Sequence, residues 1–237
     1  MQTQYEYDMK VIEQRGVEEF EAQNALSLYN EIFDVKTLFK RIGKELTTAV
    51  QQMQYISETL CLPQPAELKL ETSGMFRKSA KTGQDPRMLM TWKLLAESKA
   101  KRQKVSQPFN QERRNEVVAA LVRALHDNRS TENTVKEILA AEGIAFCIEE
   151  KVDKASVDGY SYIEDGIPYI ILTRRYDRID NFAFALMHEV GHIYLHYLDG
   201  RRSDCKLSIP DYDNESAEEK EANAFAANAL IPNEEWK

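Results

Sequence analysis

Apolar residues in the first part of the chain recur at three- and four-residue steps, which is the period of an amphipathic helix. Within residues 1 to about 60 these positions are Phe20, Ala25, Leu26, Leu28, Ile32, Phe33, Leu38, Phe39, Ile42 and Leu46. The pattern predicts two or three packed helices. Pro63 and Pro65 end this segment, because proline cannot continue a helix.

The second half of the chain changes from helical to strand-like patterning. Two further helices are predicted over about 110–126 and 131–142, with Gly143 closing the second. Three short apolar runs with strand character then follow, at 144–148, 160–163 and 169–173. Asp165 and Gly166 separate the last two runs, which is a signal for a tight hairpin.

Residues 180–200 are apolar on nearly every helical face, which predicts a buried helix. A last helix is predicted before Pro232. Together these elements predict an α+β fold. In it, a short mixed sheet packs on the buried helix and on a second, glutamate-bearing helix, and a helical N-terminal region precedes them.

The buried helix carries the sequence HEVGH, formed around His188, Glu189 and His192. Residues four apart lie about 6 Å along the axis on the same helical face, so two imidazoles can bind one metal ion. Glu189 lies about 100° further round the helix than His188, which places its carboxylate beside the metal rather than on it. The pattern therefore predicts a zinc site with Glu189 as the general base.

The third zinc ligand is predicted from the last helix. Glu218, Glu221, Ala222, Phe225 and Ala229 share one face of that helix, and its small residues allow close approach to another helix. Glu221 is the predicted ligand and Glu218 is the alternative, whereas Glu219 is expected to point away. Two histidines and one glutamate leave a fourth zinc position for water.

Three further residues near the predicted site are open to more than one interpretation. His192 and His196 form a competing pair, but Ile193 would then stand where the base is needed, so His196 is interpreted as supporting a ligand or packing in the core. Tyr194 and Tyr212 are candidate donors to the oxyanion, and the sequence does not choose between them.

The last predicted strand leads directly into the metal-binding helix. A strand beside a peptidase metal can bind an extended substrate through backbone hydrogen bonds. The predicted substrate-binding residues are Tyr169, Ile170, Ile171, Leu172 and Thr173.

Charge and cysteine content restrict the class of protein. The 237 residues have a net charge of −8, which argues against nucleic-acid binding by the whole molecule. A basic stretch from Met75 to Arg114 is the exception. A solvated helix face explains this stretch slightly better than a site for phosphate or for an acidic partner does.

The three cysteines are distant from one another in sequence, so they indicate no disulfide framework. The start has no signal-peptide pattern and no apolar run is long enough for a membrane span, so a cytoplasmic protein is expected.

The composition shifts predict three regions. They are a helical N-terminal region at 1–72, a basic helical connector at 73–107 and a metallopeptidase domain at 108–237. The N-terminal helices lack the turn glycine and basic face of a helix-turn-helix unit, so DNA binding is left open and a protein contact is at least as well supported. The sequence does not indicate the oligomeric state.

The run ILTRRYDRIDNFAFALMHEVGHIYLH, followed by EKEANAFAANALIP, resembles the ImmA/IrrE family of zinc metallo-endopeptidases. More narrowly, it is similar to the branch linked to helix-turn-helix regulators of the HigA or XRE type. The resemblance implies a compact α+β peptidase domain with zinc on His188, His192 and Glu221, and with Glu189 as the base.

The same resemblance implies a regulatory protease inside bacterial cells, with a protein substrate such as a helix-turn-helix repressor. One alternative is a HigA- or XRE-type transcriptional regulator, or an antitoxin component, that uses the peptidase fold for binding or sensing. The intact motif residues count against it. A further alternative is a latent peptidase whose cleft is gated by the N-terminal helices or another factor.

Overall fold

The computed structural model describes most of the chain. The described ranges are 4–43, 45–71, 84–127, 131–174, 178–197, 207–208 and 216–231. The chain divides into two compact units, Met1–Leu95 and Ala96–Lys237. The predicted three-region boundaries stay a prediction, and residues 72–83 of the predicted connector fall outside the described ranges.

The first unit is helical. Its helices are α1 (Gln4–Tyr29), α2 (Val35–Ile42), α3 (Ala49–Glu58), α4 (Pro65–Glu71) and most of α5 (Pro86–Ala100), which continues into the second unit. Helix α2 begins where Asp34 accepts a hydrogen bond from the Thr37 N–H, and it ends at Gly43 in the left-handed conformation. Thr48 and Gln51 form a capping box at the start of α3. The predicted helical N-terminal region is thereby confirmed.

The second unit mixes helices and strands. Its helices after α5 are α6 (Arg114–Asp127), α7 (Thr131–Ala141), α8 (Ile179–His192) and α9 (Ala217–Leu230), and its strands are β1 (Ala145–Glu150), β2 (Gly159–Glu164), β3 (Ile167–Arg174) and β4 (Leu207–Ser208). One 3-10 turn, Gln111–Arg113, precedes α6, and a π-helical turn, Ile193–Tyr197, follows α8 directly. The predicted α+β class is confirmed.

The sheet has the strand order β1-β3-β2-β4. Strand β1 runs parallel to β3, and β2 runs antiparallel to it through a tight hairpin. Asp165 and Gly166 both have positive φ in this hairpin, as its sequence predicts. On the other side of β2, the short β4 pairs with Gly159 and Tyr160.

Helices α8 and α9 pack against each other at a site of small residues. Ala222 and Ala226 of α9 are fully buried. A Cβ added to Gly191 of α8 would lie 3.0 Å from the Phe225 ring and 3.4 Å from Ala222 Cα. The two backbones therefore approach closely at this point, and the polar side chains of α9 are brought within reach of those of α8.

Several cations of the basic stretch pair with acidic side chains. Arg87 Nη2 lies 3.1 Å from Asp34 Oδ2 in the first unit. Lys99 of the second unit lies 3.3 Å from Glu149 and also donates to the Ile148 carbonyl. These contacts account for part of the positive charge without an external ligand. No helix within the described ranges is long and apolar enough to cross a membrane.

Candidate metal centre

The C-terminal half of α8 is buried on every side. Its residues from Leu186 to His192 are all buried, and they include three polar side chains. His188 is 7% exposed, Glu189 is 1% exposed and His192 is fully buried. Buried ionisable groups need polar partners, because their removal from water is otherwise costly. The partners come from α9, from the π-helical turn and from β2.

Three side chains converge on one point between α8 and α9. His188 Nε2 lies 3.0 Å from His192 Nε2. Glu219 of α9 places one carboxylate oxygen 3.2 Å from His188 Nε2 and the other 3.6 Å from His192 Nε2. Zinc bonds of about 2.0–2.2 Å in a tetrahedron place neighbouring ligand atoms about 3.3 Å apart. The observed separations match that spacing, and the three residues could hold a metal ion.

The Nδ1 nitrogen of His188 faces away from this point. His188 Nδ1 lies 2.8 Å from the amide oxygen of Asn223, which accepts hydrogen bonds. With its proton on Nδ1, a neutral His188 ring would donate to Asn223 and present a lone pair at Nε2. His192 likewise turns Nδ1 away from the centre, toward His196, and directs Nε2 into it.

The electrostatics of the centre favour added positive charge. Burial pulls the pKa of His188 down, but hydrogen bonding to Glu219 and the nearby Glu189 carboxylate outweigh it, so the His188 pKa is raised. Burial would raise the pKa of Glu219, yet its hydrogen bonds with His188 and His192 hold that pKa well below its usual range. A carboxylate and two imidazoles in this arrangement suit a cation.

The structure brings Glu219, rather than the predicted Glu221, to the two histidines. The expectation that Glu219 points away is wrong, because the face of α9 that packs on α8 is centred on Ala222 and Ala226. Glu219 precedes Ala222 by three residues and therefore lies on that face. Glu221 instead contacts His196, with Glu221 Oε2 3.1 Å from His196 Nε2. Within the described ranges, the group of residues that could hold a metal consists of His188, His192 and Glu219. It does not include Glu218, the other predicted alternative.

Strand β2 holds the carboxylate of Glu189. The Ser161 hydroxyl donates to Glu189 Oε2 over 2.6 Å, and Ser161 is fully buried. Gly159 leaves the space for the rest of the side chain, since an added Cβ would lie 2.8 Å from Glu189 Cγ and would overlap Oε1. Oε1 is buried and has no hydrogen-bond partner among the described residues. It is therefore an acceptor available to a donor such as a metal-bound water.

Sequence reasoning missed both Ser161 and Gly159. Nothing local to β2 indicates that these residues face α8, because that placement depends on the sheet order. The one available signal was the glycine itself, since a glycine in a strand often marks a close approach by another group.

The predicted substrate-binding residues of β3 have no free backbone edge. Tyr169 to Thr173 pair with Ala145 to Glu149 on one side. On the other side Tyr169 to Leu172 pair with β2, and the Thr173 N–H donates to the Asp158 carbonyl. Backbone pairing of a substrate along these residues is therefore excluded in this structure, because β3 lies inside the sheet.

None of the described contacts joins the Tyr194 side chain to His188 or His192. The Tyr194 ring packs on Phe109, with ring centroids 5.5 Å apart, and its hydroxyl is buried without a partner among the described residues. Burial, together with the nearby Glu142 carboxylate, raises the pKa of Tyr194 to about 12. The geometry gives no support to Tyr194 as an oxyanion donor, and Tyr212 lies outside the described residues.

Residues 141–237 match the family model Peptidase_M78, described as the IrrE N-terminal-like domain. This segment is similar to the Peptidase_M78 family of domains. The predicted relationship to the ImmA/IrrE family is thereby confirmed for this part of the chain. The match covers β1 to α9, and so includes every residue of the candidate metal centre. No curated protein and no solved structure was found to match the chain.

Proposed function

We propose that the Peptidase_M78 domain is a zinc-dependent endopeptidase whose metal is held by His188, His192 and Glu219. The observation that carries this proposal is the convergence of two imidazole nitrogens and a carboxylate at 3.0–3.6 Å. Nitrogen and oxygen donors at this spacing, with three protein ligands and room for water, are typical of catalytic zinc.

Glu189 has the surroundings that a general base requires. Zinc at this centre would lower the pKa of a bound water and polarise a peptide carbonyl. Ser161 holds Glu189 Oε2, so Oε1 remains to accept the proton of the attacking water. As the water oxygen bonds to the carbonyl carbon and the C–N bond breaks, Glu189 returns that proton to the leaving amine nitrogen.

The proposed physiological role is regulatory cleavage of a protein. Its support is the relationship to the ImmA/IrrE family, together with a domain that accompanies a separate helical unit, Met1–Leu95. A transcription regulator such as a helix-turn-helix repressor is the proposed substrate. Such cleavage would take place in the cytoplasm.

The metal ligands are tested by zinc content after purification, measured by elemental analysis. Wild type should hold about one zinc per chain. Glu219→Gln should lose it, since the amide is a poor zinc ligand, and Glu218→Gln on the same helix should keep it. A wild type that neither contains zinc nor takes it up would overturn the proposal.

The peptidase activity is tested by a search for cleavage products among all cellular proteins. Wild type and Glu189→Gln are expressed at equal levels in the same cells, and newly formed protein N-termini are identified by mass spectrometry. Glu189→Gln should keep its zinc but produce none of the N-termini specific to wild type. Identical sets of N-termini from the two proteins would contradict the proposed base.

A further inference from the structure

Phe184 exposes a large apolar side chain next to the candidate metal centre. It is 40% exposed, and its ring centroid lies 6.4 Å from that of His188. Phe184, His188 and His192 follow one another at four-residue steps in α8, so they share one face of the helix. The face of α8 that carries the two histidines therefore continues, one turn toward the start of the helix, into an exposed aromatic ring.

The candidate centre reaches solvent on the side of His188 and Glu219. His192 is fully buried and Glu189 is 1% exposed, whereas the side chains of His188 and Glu219 are 9% and 19% exposed. A substrate must therefore approach from the side of the two more exposed residues. The separation of the Phe184 and His188 rings is that of an aromatic pair, so the Phe184 ring lies at this opening.

We propose that Phe184 is a specificity-determining residue, which binds a large apolar side chain on the acyl side of the scissile peptide bond. The preferred substrates are protein segments with a leucine or a similar apolar residue directly before the bond that is cleaved. The inference rests on the proposed function, since the metal and Glu189 place the bond to be cleaved.

The side of the scissile bond follows from the positions of three residues around α8. Successive residues advance by about 100° around a helix. Relative to His188, Glu189 lies about 100° round the axis in one direction and Phe184 about 40° in the other. Glu189 returns a proton to the leaving amine in the proposed reaction, so the amine half of the substrate lies toward Glu189. The acyl half then lies toward Phe184.

The apolar surface on this face of α8 is one side chain long. One turn before Phe184, the same face carries Asp180 and Asn181, which are both exposed and polar. Arg178 pairs with the Asp180 carboxylate, with Arg178 Nε 3.1 Å from Asp180 Oδ1. The helix therefore offers an apolar contact to one substrate side chain and a polar surface beyond it.

The position of Phe184 separates it from other apolar residues of α8. Single exposed apolar residues are common and need no function. Ile179 is also 40% exposed, but it lies about 140° round the axis from Phe184. Phe182 packs against the core, with its ring centroid 6.5 Å from that of Phe146. Of these three α8 residues, Phe184 is the one that shares a face with the histidines.

The proposed contact is tested with two metal-binding probes of similar size and different polarity. N-acetyl-leucine hydroxamate and N-acetyl-asparagine hydroxamate bind zinc through the same group, and their side chains stand on the acyl side of the scissile bond. Isothermal titration calorimetry measures their affinities for the zinc-loaded protein and requires no turnover. Wild type should bind the leucine probe about tenfold more tightly, because even incomplete removal of a leucine side chain from water favours binding by about that factor.

Three substitutions locate the preference. Phe184→Ala removes the ring and keeps a good helix former, so the preference for the leucine probe should fall below about threefold. Phe184→Leu retains an apolar side chain and should keep most of the preference. Ile179→Ala is the matched control, because it removes an equally exposed apolar side chain from the same helix, and it should behave as wild type. A preference that is absent from wild type, or that survives in Phe184→Ala, would overturn the proposal.

The zinc affinity of the same variants separates substrate recognition from support of His188. If the ring only held His188 in place, its removal would weaken zinc binding and weaken both probes equally. The proposal instead predicts that Phe184→Ala keeps its zinc affinity within about threefold of wild type and loses affinity mainly for the leucine probe. Equal losses for the two probes would contradict it.

The results also separate this inference from the proposed function. If wild type cleaves proteins but shows no preference for the leucine probe, the role of Phe184 fails and the peptidase stands. If the preference depends on Phe184 but no cleavage product depends on Glu189, the apolar contact stands and the peptidase proposal fails. A wild type that takes up no zinc would overturn both.

Discussion

Gly159 and Glu189 fit together so closely that one methyl group would force them apart. A Cβ on Gly159 would lie 2.8 Å from Glu189 Cγ and 2.9 Å from its Cδ, and both residues are buried. The carboxylate therefore takes its position partly from the missing side chain of a strand residue. This relationship leads to the first prediction.

Gly159→Ala should destabilise the protein by about 1–3 kcal/mol, which is the usual cost of overpacking a tightly packed site. Thermal unfolding of the metal-free protein measures this change. Gly16→Ala is the control, because Gly16 lies in helix α1 with nothing within 4 Å of an added Cβ. It should stabilise its helix by up to ~1 kcal/mol. Similar changes for the two variants would contradict the predicted overlap.

The hydrogen bond from Ser161 to Glu189 leads to the second prediction. Ser161→Ala leaves a buried carboxylate oxygen without a donor, and the expected loss of unfolding free energy is about 1–3 kcal/mol. Urea denaturation in the presence of a chelator measures it. In a Glu189→Leu background the same substitution should cost much less, because the acceptor is already gone. Equal costs in both backgrounds would show that the two side chains are not coupled.

The close approach of α8 and α9 leads to the third prediction. Gly191→Ala should push Phe225 away and spread the two helices, since the added Cβ would lie 3.0 Å from the ring. Glu219 is carried by α9, so zinc affinity should fall together with stability. A Phe225→Leu change in the same chain shortens the obstructing side chain and should recover part of both losses. Competition with a chelator measures the zinc affinity, and thermal unfolding measures the stability. An unchanged zinc affinity in Gly191→Ala would contradict the predicted link between helix packing and metal binding.

The ligand pair in α8 could be predicted from sequence because its spacing is local. His188 and His192 are one helical turn apart wherever the helix is placed. The third ligand depends instead on how α9 is rotated against α8. Phe225, the largest apolar residue of α9, suggested a face that includes Glu221, but the contact is centred on the smaller Ala222 and Ala226.

In the sheet, too, features set by neighbouring residues could be predicted from sequence, whereas pairings between distant segments could not. The hairpin between β2 and β3 was predictable from Asp165 and Gly166, whose backbone conformation suits a tight turn. The parallel pairing of β1 with β3 joins segments that are distant in sequence, and no local pattern indicates it. That pairing places β3 inside the sheet, and it is the reason why the predicted substrate-binding strand has no free edge.

The last prediction concerns the pH dependence of metal-free stability. Glu219 has a lowered pKa, so its contribution is present above its ordinary value of 4.5 and is lost as the pH falls through the lowered pKa. His188 has a raised pKa, so its contribution is complete below its ordinary value of 6.5 and is lost as the pH rises through the raised pKa. The Glu219–His188 contact should therefore stabilise the metal-free protein most between these two ordinary values.

The stability difference between wild type and Glu219→Gln isolates this contribution. With a chelator present, urea denaturation should give the largest difference in weakly acidic solution and a smaller one above neutral pH. Saturating zinc should reverse the trend, because metal ligands must lose their protons and binding strengthens as the pH rises. A metal-free difference that grows from pH about 6 to 8 would contradict the raised pKa of His188, since a raised histidine pKa requires the opposite slope.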